Sequence, residues 1–287
     1  MNHDLVASKS SGPGSNNSQN NVLITESAFL ELYHPRLYPA MLRAKIQKKT
    51  RQGFEKIIGQ LLEDFLLGLW LKNHSMGKWV EQMGLPRRSM EKRFGSSLSL
   101  EVDPNSLNNL VSFKNKYQRR HLGNRFIWDG DWDKRTRHFH TTERYLFLAD
   151  IWENRSDLSK SKRFHELMNM YKKGRPYSSY HKGVYLDTEQ KVLRFLQIYL
   201  SFMKQLYQYG YDQTLADDPV GVALDRQGKL VKINKGLHRL AMAQVVGLKK
   251  IPVRIRAVHR QWWDRKKYSQ QIHLKSNFRH LISRLSS

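Results

Sequence analysis

The chain has 287 residues, no cysteine, and 50 Lys and Arg against 25 Asp and Glu, a formal net charge of +25. The missing cysteine excludes disulfides, thiolate catalysis and Cys-based zinc sites, and it fits a reducing compartment. The charge points to a polyanionic partner (nucleic acid, nucleotide, an anionic lipid surface or an acidic glycan), with a basic surface that meets nothing as the plain alternative.

Residues 1–22 are rich in Ser, Asn and Gly and are expected to be disordered. No signal peptide is visible there, which gives the expectation of a cytoplasmic protein. Between Leu32 and Phe54 the chain carries Arg36, Arg43, Lys45, Lys48, Lys49 and Arg51 and no acid. That stretch suits a backbone-contacting arm or a solvated helix face. In 54–72, Ile57, Ile58, Leu61, Leu62, Phe65, Leu66 and Leu69 recur at helical spacing, with Glu55, Gln60, Glu63 and Asp64 mostly off that face. The expectation is a core helix, with interfacial membrane insertion as the alternative. The segment is too short to span a bilayer, so no transmembrane segment is expected.

Residues 76–95 read as a helix, a turn at Gly84-Leu85-Pro86, and a second helix bearing Arg87, Arg88, Lys92 and Arg93. With its Arg93-Phe94-Gly95 ending the segment resembles the helix-turn-helix unit of AraC-type regulators. It departs from them at Trp79, near a position where that motif prefers a small residue. The resemblance implies a DNA partner met by Arg87, Arg88, Lys92 and Arg93; an ordinary helical hairpin with a solvated basic face is the other reading.

Residues 96–124, Ser/Asn-rich and then basic, read as a connector or domain boundary. In WDGDWD, Asp129, Asp131 and Asp133 alternate, so in an extended segment they share one face. They could hold Mg²⁺ or orient a hydroxyl; equally, Trp128 and Trp132 could anchor the segment while the aspartates cap a turn. Two helices are expected within 143–174, a short strand at 183–187, and a long helix over 188–210 with Thr188 as N-cap and Gly210 as stop. Asp217 and Asp218 form a second carboxylate source, or a capped turn. Strands follow at 220–225, 230–233 and 251–258, with a helix at 237–247 between the last two. From Arg226 to Ser287 there are sixteen Lys and Arg against one acid, Asp264, with Trp262, Trp263, Tyr268 and Phe278 interleaved. Those aromatics could stack bases, sit at a membrane interface or cover a sheet edge. His259 and Trp262 could close over a nucleotide or simply pack. P-loop, zincin and hydrolase motifs are absent from the sequence.

Gly236-Leu237-His238-Arg239 opens the helix of 237–247, and Lys235 precedes it. A helix N-terminus carries unpaired N–H groups and partial positive charge, and glycine lets a phosphate approach the backbone. Arg239 can grip phosphate oxygens, His238 can donate a hydrogen bond or shuttle a proton, and Lys235 adds a charge. Pairing of His238 and Arg239 with solvent or with Asp217 or Asp218 is the alternative.

The order of features over about 190–258 resembles the ParB/sulfiredoxin superfamily. They are a long helix, Gly210-Tyr211, strand Val220–Leu224, strand Leu230–Ile233, Gly236-Leu237-His238-Arg239, small Ala241 and Ala243, Gly247-Leu248 and Ile251-Pro252-Val253. Gly130–Asp133 upstream, with His259, Trp262 and Trp263, looks like an uncharacterised group of that superfamily whose members accompany surface-polysaccharide genes. The resemblance implies that Lys235, Gly236, Leu237, His238 and Arg239 cradle the phosphates of ATP or another nucleotide. It implies Mg²⁺ at Asp131 and Asp133, and phosphate transfer to a small hydroxyl compound or glycan with Asp131, Asp133 and His238 as catalytic residues. Leu237 stands where sulfiredoxins have Cys, which removes sulfinic-acid reduction. Lys235 stands where many relatives have Asp. A ParB-like DNA-binding protein without catalysis is the alternative.

The fold expectation is α+β. It divides into a disordered 1–22, a basic helical region 23–110, a helical connector 111–180, a ParB/sulfiredoxin-like domain 181–260 and a basic tail 261–287.

Overall fold

The structure, a computed structural model, describes residues 26–54, 59–72, 75–180, 183–211 and 219–269. It is a mixed α/β fold. After short 3₁₀ turns come α1 (Tyr38–Phe54), α2 (Gln60–Leu71), α3 (Ser75–Gln82) and α4 (Arg87–Phe94). Then follow β1 (Ser99–Val102), β2 (Asn109–Val111), α5 (Lys116–Gly123), β3 (Ile127–Trp128) and β4 (Thr136–His138). Helices α6 (Glu143–Glu153) and α7 (Lys162–Lys172), strands β5 (Ser178–Ser179) and β6 (Val184–Tyr185), and helix α8 (Glu189–Tyr209) lead to the last unit. That unit is β7 (Val220–Leu224), β8 (Leu230–Lys232), α9 (Leu237–Val245), β9 (Ile251–His259) and α10 (Arg260–Ser269).

The main sheet runs β1-β9-β7-β8-β2-β4, with β3 also on β9. β9 is parallel to β7 and antiparallel to β1, while β7 and β8 form an antiparallel hairpin and β2 joins β8 in parallel. The segment 96–124, read from sequence as a connector, therefore supplies β1, β2 and α5, and one sheet crosses the divisions drawn at 110/111 and 180/181. Its strands are only three or four residues long, too short for alternation to register against their polar surroundings.

One face of the sheet carries Val220, Val222, Leu224, Val253 and Ile255 into a core shared with Leu148, Leu196, Met203 and Leu240 of α6, α8 and α9. The other face holds a smaller cluster of Val111, Leu122, Trp128, Trp132, Ala223, Val231 and Ala257. Helix α8 begins where sequence placed it: the Thr188 side chain accepts the Lys191 N–H, and Gly210 at φ 75° ends it.

At the N-terminal end, α2 packs on α3 and α4. Gly77 makes the close approach, since a Cβ there would lie 2.8 Å from the Leu69 carbonyl oxygen and the Trp70 Cα. Trp79, expected to obstruct tight packing, is instead half exposed. Helix α2 is not the core helix that its periodicity suggested. Leu67 and Trp70 are buried, but Leu61, Leu62 and Phe65 face outward. Ile57, Ile58, Asp217, Asp218, Phe278 and residues 1–22 lie outside the described residues.

Candidate anion-binding site

The corner at Gly236 is built by three elements. β7 brings Gly221, whose N–H donates to the Lys235 carbonyl at 3.1 Å. β9 brings Arg254, opposite Gly221, and Arg256. Between Val222/Ile255 and Ala223/Ala257 the register slips by one residue, so Arg256 is the extra residue of a bulge; bulges bend a strand and re-aim a side chain. Gly221 makes the room: a Cβ on it would fall 2.9 Å from Lys235 Cβ and 3.0 Å from Arg256 Cδ.

Gly236 stands as N-cap of α9 at φ 74°, ψ 31°, the left-handed region, and offers no side-chain cap to the first helical N–H groups. Beneath it Lys232 is fully buried. Its ammonium donates to the carbonyls of Gly221 (3.0 Å), Ile233 and Lys235, one for each of its three N–H bonds. Burial, aided by Arg256 and Arg239, pulls Lys232 well below the ordinary lysine range. The three carbonyls act in the opposite sense by stabilising the charged form.

Cations crowd this corner. Burial, then Arg256, Arg239 and Arg87, lower the Lys235 ammonium, with Glu91 opposing. Burial likewise lowers Arg256, Glu91 offsets it, and Arg87, Arg254 and Arg239 add to the lowering. Among the described residues, Glu91 is a carboxylate that acts on both groups. It accepts from Arg87 at 2.7 Å and from Arg256 at 3.3 Å, within reach of both guanidinium groups from α4. Arg239 donates to the Tyr211 hydroxyl at 3.4 Å. The His238 ring lies 6.0 Å from the Tyr199 ring of α8, so it turns toward the helical layer. The structure thus brings Lys235, Gly236, Leu237, His238 and Arg239 together and adds Arg87, Lys232, Arg254 and Arg256. An Arg-x-Arg pair in an otherwise apolar strand, Ile251–Val258, was the available signal for the last two. Arg87 is also one of the residues that the AraC-type resemblance would place on DNA.

Asp131 and Asp133 are elsewhere. Arg226 takes Asp133 in a fork, Nε to Oδ2 at 2.7 Å and Nη2 to Oδ1 at 2.6 Å, and its backbone N–H also donates to Oδ2. Nη2 reaches Asp131 at 2.8 Å as well, and Lys134 pairs with Asp131. Burial raises the Asp133 carboxyl, but the Arg226 hydrogen bonds, with His259 nearby, more than reverse this and set it at about 2. His259 Nδ1 accepts the Gln261 N–H, which leaves Nε2 to donate to the Gly130 carbonyl at 2.9 Å. This motif abuts the far end of β9, since Trp128 pairs with His259. Five residues of strand, roughly 16 Å at the usual rise, separate Arg254 from His259. Among the described residues no group of three or more His, Asp or Glu is arranged to hold a metal. Asp129 lines a separate cleft of about 360 Å³ with His121, Arg125 and Arg260.

Trp262 and Trp263 are buried and pack as a core edge; the Trp263 and Trp70 indoles both donate to Glu81. On α4, Lys92 pairs with Asp64 at 2.8 Å, Arg93 is exposed, and the Arg87 backbone N–H donates to the Asn124 carbonyl. The first turn of α4, where a reading helix meets base edges, is therefore packed against the end of α5.

No family model, no curated protein and no solved structure matches this chain.

Proposed function

We propose that the Gly236 corner binds the phosphates of a nucleotide. The observation that carries this reading is the convergence of Arg87, Lys235, Arg239, Arg254 and Arg256 near the start of α9. Cations gathered at the positive end of a helix repel one another and lose hydration. A polyphosphate offers bidentate acceptors for the guanidinium groups and acceptors for the helix N–H groups.

The order of elements around the corner supports a place in the ParB/sulfiredoxin superfamily, and with it ATP or a related nucleotide as ligand. Phosphoryl transfer to a small hydroxyl compound or glycan, with Mg²⁺ bound along with the nucleotide, is the activity this reading suggests. Asp131 and Asp133 are not proposed as its base or metal ligands, because Arg226 occupies both at the other end of the strand. The DNA-binding alternative has less support, since Lys92 is paired with Asp64 and the first turn of α4 is packed against the end of α5.

The test is a thermal-shift and calorimetric titration with ATP, ADP, CTP and inorganic phosphate, with and without Mg²⁺, at physiological salt. A nucleotide at about 100 times its Kd stabilises the fold by about 2.7 kcal/mol, a rise of several degrees in Tm for a chain of this size. Arg239→Ala is expected to weaken binding at least tenfold. Absence of any shift with all four ligands refutes the reading.

A further inference from the structure

Helix α2 is apolar on two sides. Its inner side buries Leu67 and Trp70, and its Asp64 carboxylate accepts from Ser89 (2.6 Å) and Lys92 (2.8 Å) of α4 and from Gln60 (2.9 Å) of its own first turn. A second apolar face points away, with Leu61 69%, Leu62 57% and Phe65 62% exposed. Scattered exposed leucines are ordinary, whereas three large side chains on one face of one helix are not. Neighbouring α3 adds half-exposed Met76 and Trp79.

The charge of the helix that precedes α2 in sequence points to what covers this face. Helix α1 is acid-free and carries exposed Arg43, Lys45 and Lys49, with Tyr38, Leu42 and Ile46 exposed among them. Only four residues lie between Phe54 and Gly59, so the end of α1 lies within about 18 Å of the N-cap of α2. A second copy docked on α2 would bring two such cationic helices close together, and their repulsion opposes that dimer. Anionic headgroups neutralise α1 while acyl chains accept Leu61, Leu62 and Phe65. An apolar helix face combined with flanking cations is the pair of signals that holds a protein in a lipid interface. At twelve residues α2 is about 18 Å long; it can lie in the interface, and no helix among the described residues is long and apolar enough to cross a membrane.

We propose that α2, assisted by the cations of α1, docks this protein on an anionic lipid surface. The inference is independent of the nucleotide reading, because it uses none of the residues at the Gly236 corner.

The test uses the full chain and exploits its lack of cysteine. Leu62→Cys carries an environment-sensitive fluorophore, and Tyr117→Cys on α5, where the native side chain is 77% exposed, carries the same label as control. On vesicles with 30% phosphatidylserine the Leu62 label is expected to shift to the blue and the Tyr117 label to stay put. Pure phosphatidylcholine vesicles are expected to bind at least tenfold more weakly. In co-sedimentation, Leu61→Gln/Leu62→Gln/Phe65→Gln and, separately, Arg43→Gln/Lys45→Gln/Lys49→Gln each lower partitioning roughly tenfold or more. All these positions are exposed, and circular dichroism with melting checks that both variants fold. A Leu62 label already shielded without vesicles, a dimer by light scattering that the α2 variant dissolves, or vesicle binding that neither variant weakens overturns the proposal.

Discussion

Asp133→Asn removes the charge at the centre of the Arg226 fork, and the structure sets the size of the effect. The Asp133 side chain is 4% exposed and Arg226 17% exposed, so solvent screens the pair little. The Asp133 carboxyl sits at about 2 in the folded protein against 3.8 for the free side chain. At about 1.4 kcal/mol per pH unit, linkage gives roughly 2.5 kcal/mol of stability at neutral pH. The sign follows from the direction. A carboxyl held below its unfolded value contributes fully above about pH 4 and loses that contribution as pH falls toward 2. Asparagine keeps the shape but turns an N–H₂ toward one guanidinium nitrogen, while Asp131 retains part of the Arg226 charge. The expected loss is therefore about 2–3 kcal/mol at pH 7, measured by urea unfolding followed through tryptophan fluorescence. The stability difference between wild type and variant shrinks from pH 4 to pH 2. A double-mutant cycle with Arg226→Met yields a coupling near 2 kcal/mol. Coupling below about 0.5 kcal/mol refutes the fork as a structural tie. So does a Mg²⁺-dependent rise in Tm without nucleotide that Asp133→Asn abolishes, which would make these carboxylates metal ligands.

Gly236→Ala places a Cβ at φ 74° and 3.0 Å from the Val220 Cα, and it is expected to cost about 1–2 kcal/mol by urea unfolding and to weaken nucleotide binding in the titration above. Lys232→Met takes the second donor from three carbonyls that keep their backbone N–H partners, and it is expected to cost about 1 kcal/mol at pH 7. Because burial holds the Lys232 ammonium below its unfolded value, wild-type stability gains from this group as pH rises toward 10.5. That gain is lost in Lys232→Met, and identical pH slopes for the two proteins would refute the assignment.

The final unit was legible because each of its signals is local. Thr188 and Gly210 bracket α8, the Gly228 turn joins two apolar strands, and Gly236 and Gly247 bracket α9. The strands β1, β2 and β4 were not legible, since they are three or four residues long; β1 and β2 gain their place by pairing with strands more than ninety residues away in sequence, and β4 gains its place by pairing with β2. The Gly236–Arg239 turn was visible as a motif. Its cationic wall was not, because Arg87 and Arg256 meet only through the tertiary fold and through Glu91. WDGDWD left two readings open, a cation site or a turn anchored by its tryptophans. Alternating aspartates suit a metal in an extended strand, but the cation that meets them is Arg226, ninety-three residues later.

Helix α2 was misread for a reason that also explains its position. Periodicity reports which residues share a face but not which face is turned inward. Helix α4 decides the matter, since it offers Ser89 and Lys92 on one side and Arg87 and Glu91 on another. The first pair draws Asp64 and Gln60 inward and so turns Leu61 and Phe65 out. The second pair meets Arg256 at the Gly236 corner. Adjacent residues Glu91 and Lys92 thus tie the helix with the bare apolar face to the strand that lines the anion site. An eight-residue helix with both flanks ion-paired has little freedom to leave either neighbour. Helices α2 and α4 are therefore tied to the sheet, and a surface that engages α2 also fixes where the Gly236 corner lies relative to that surface.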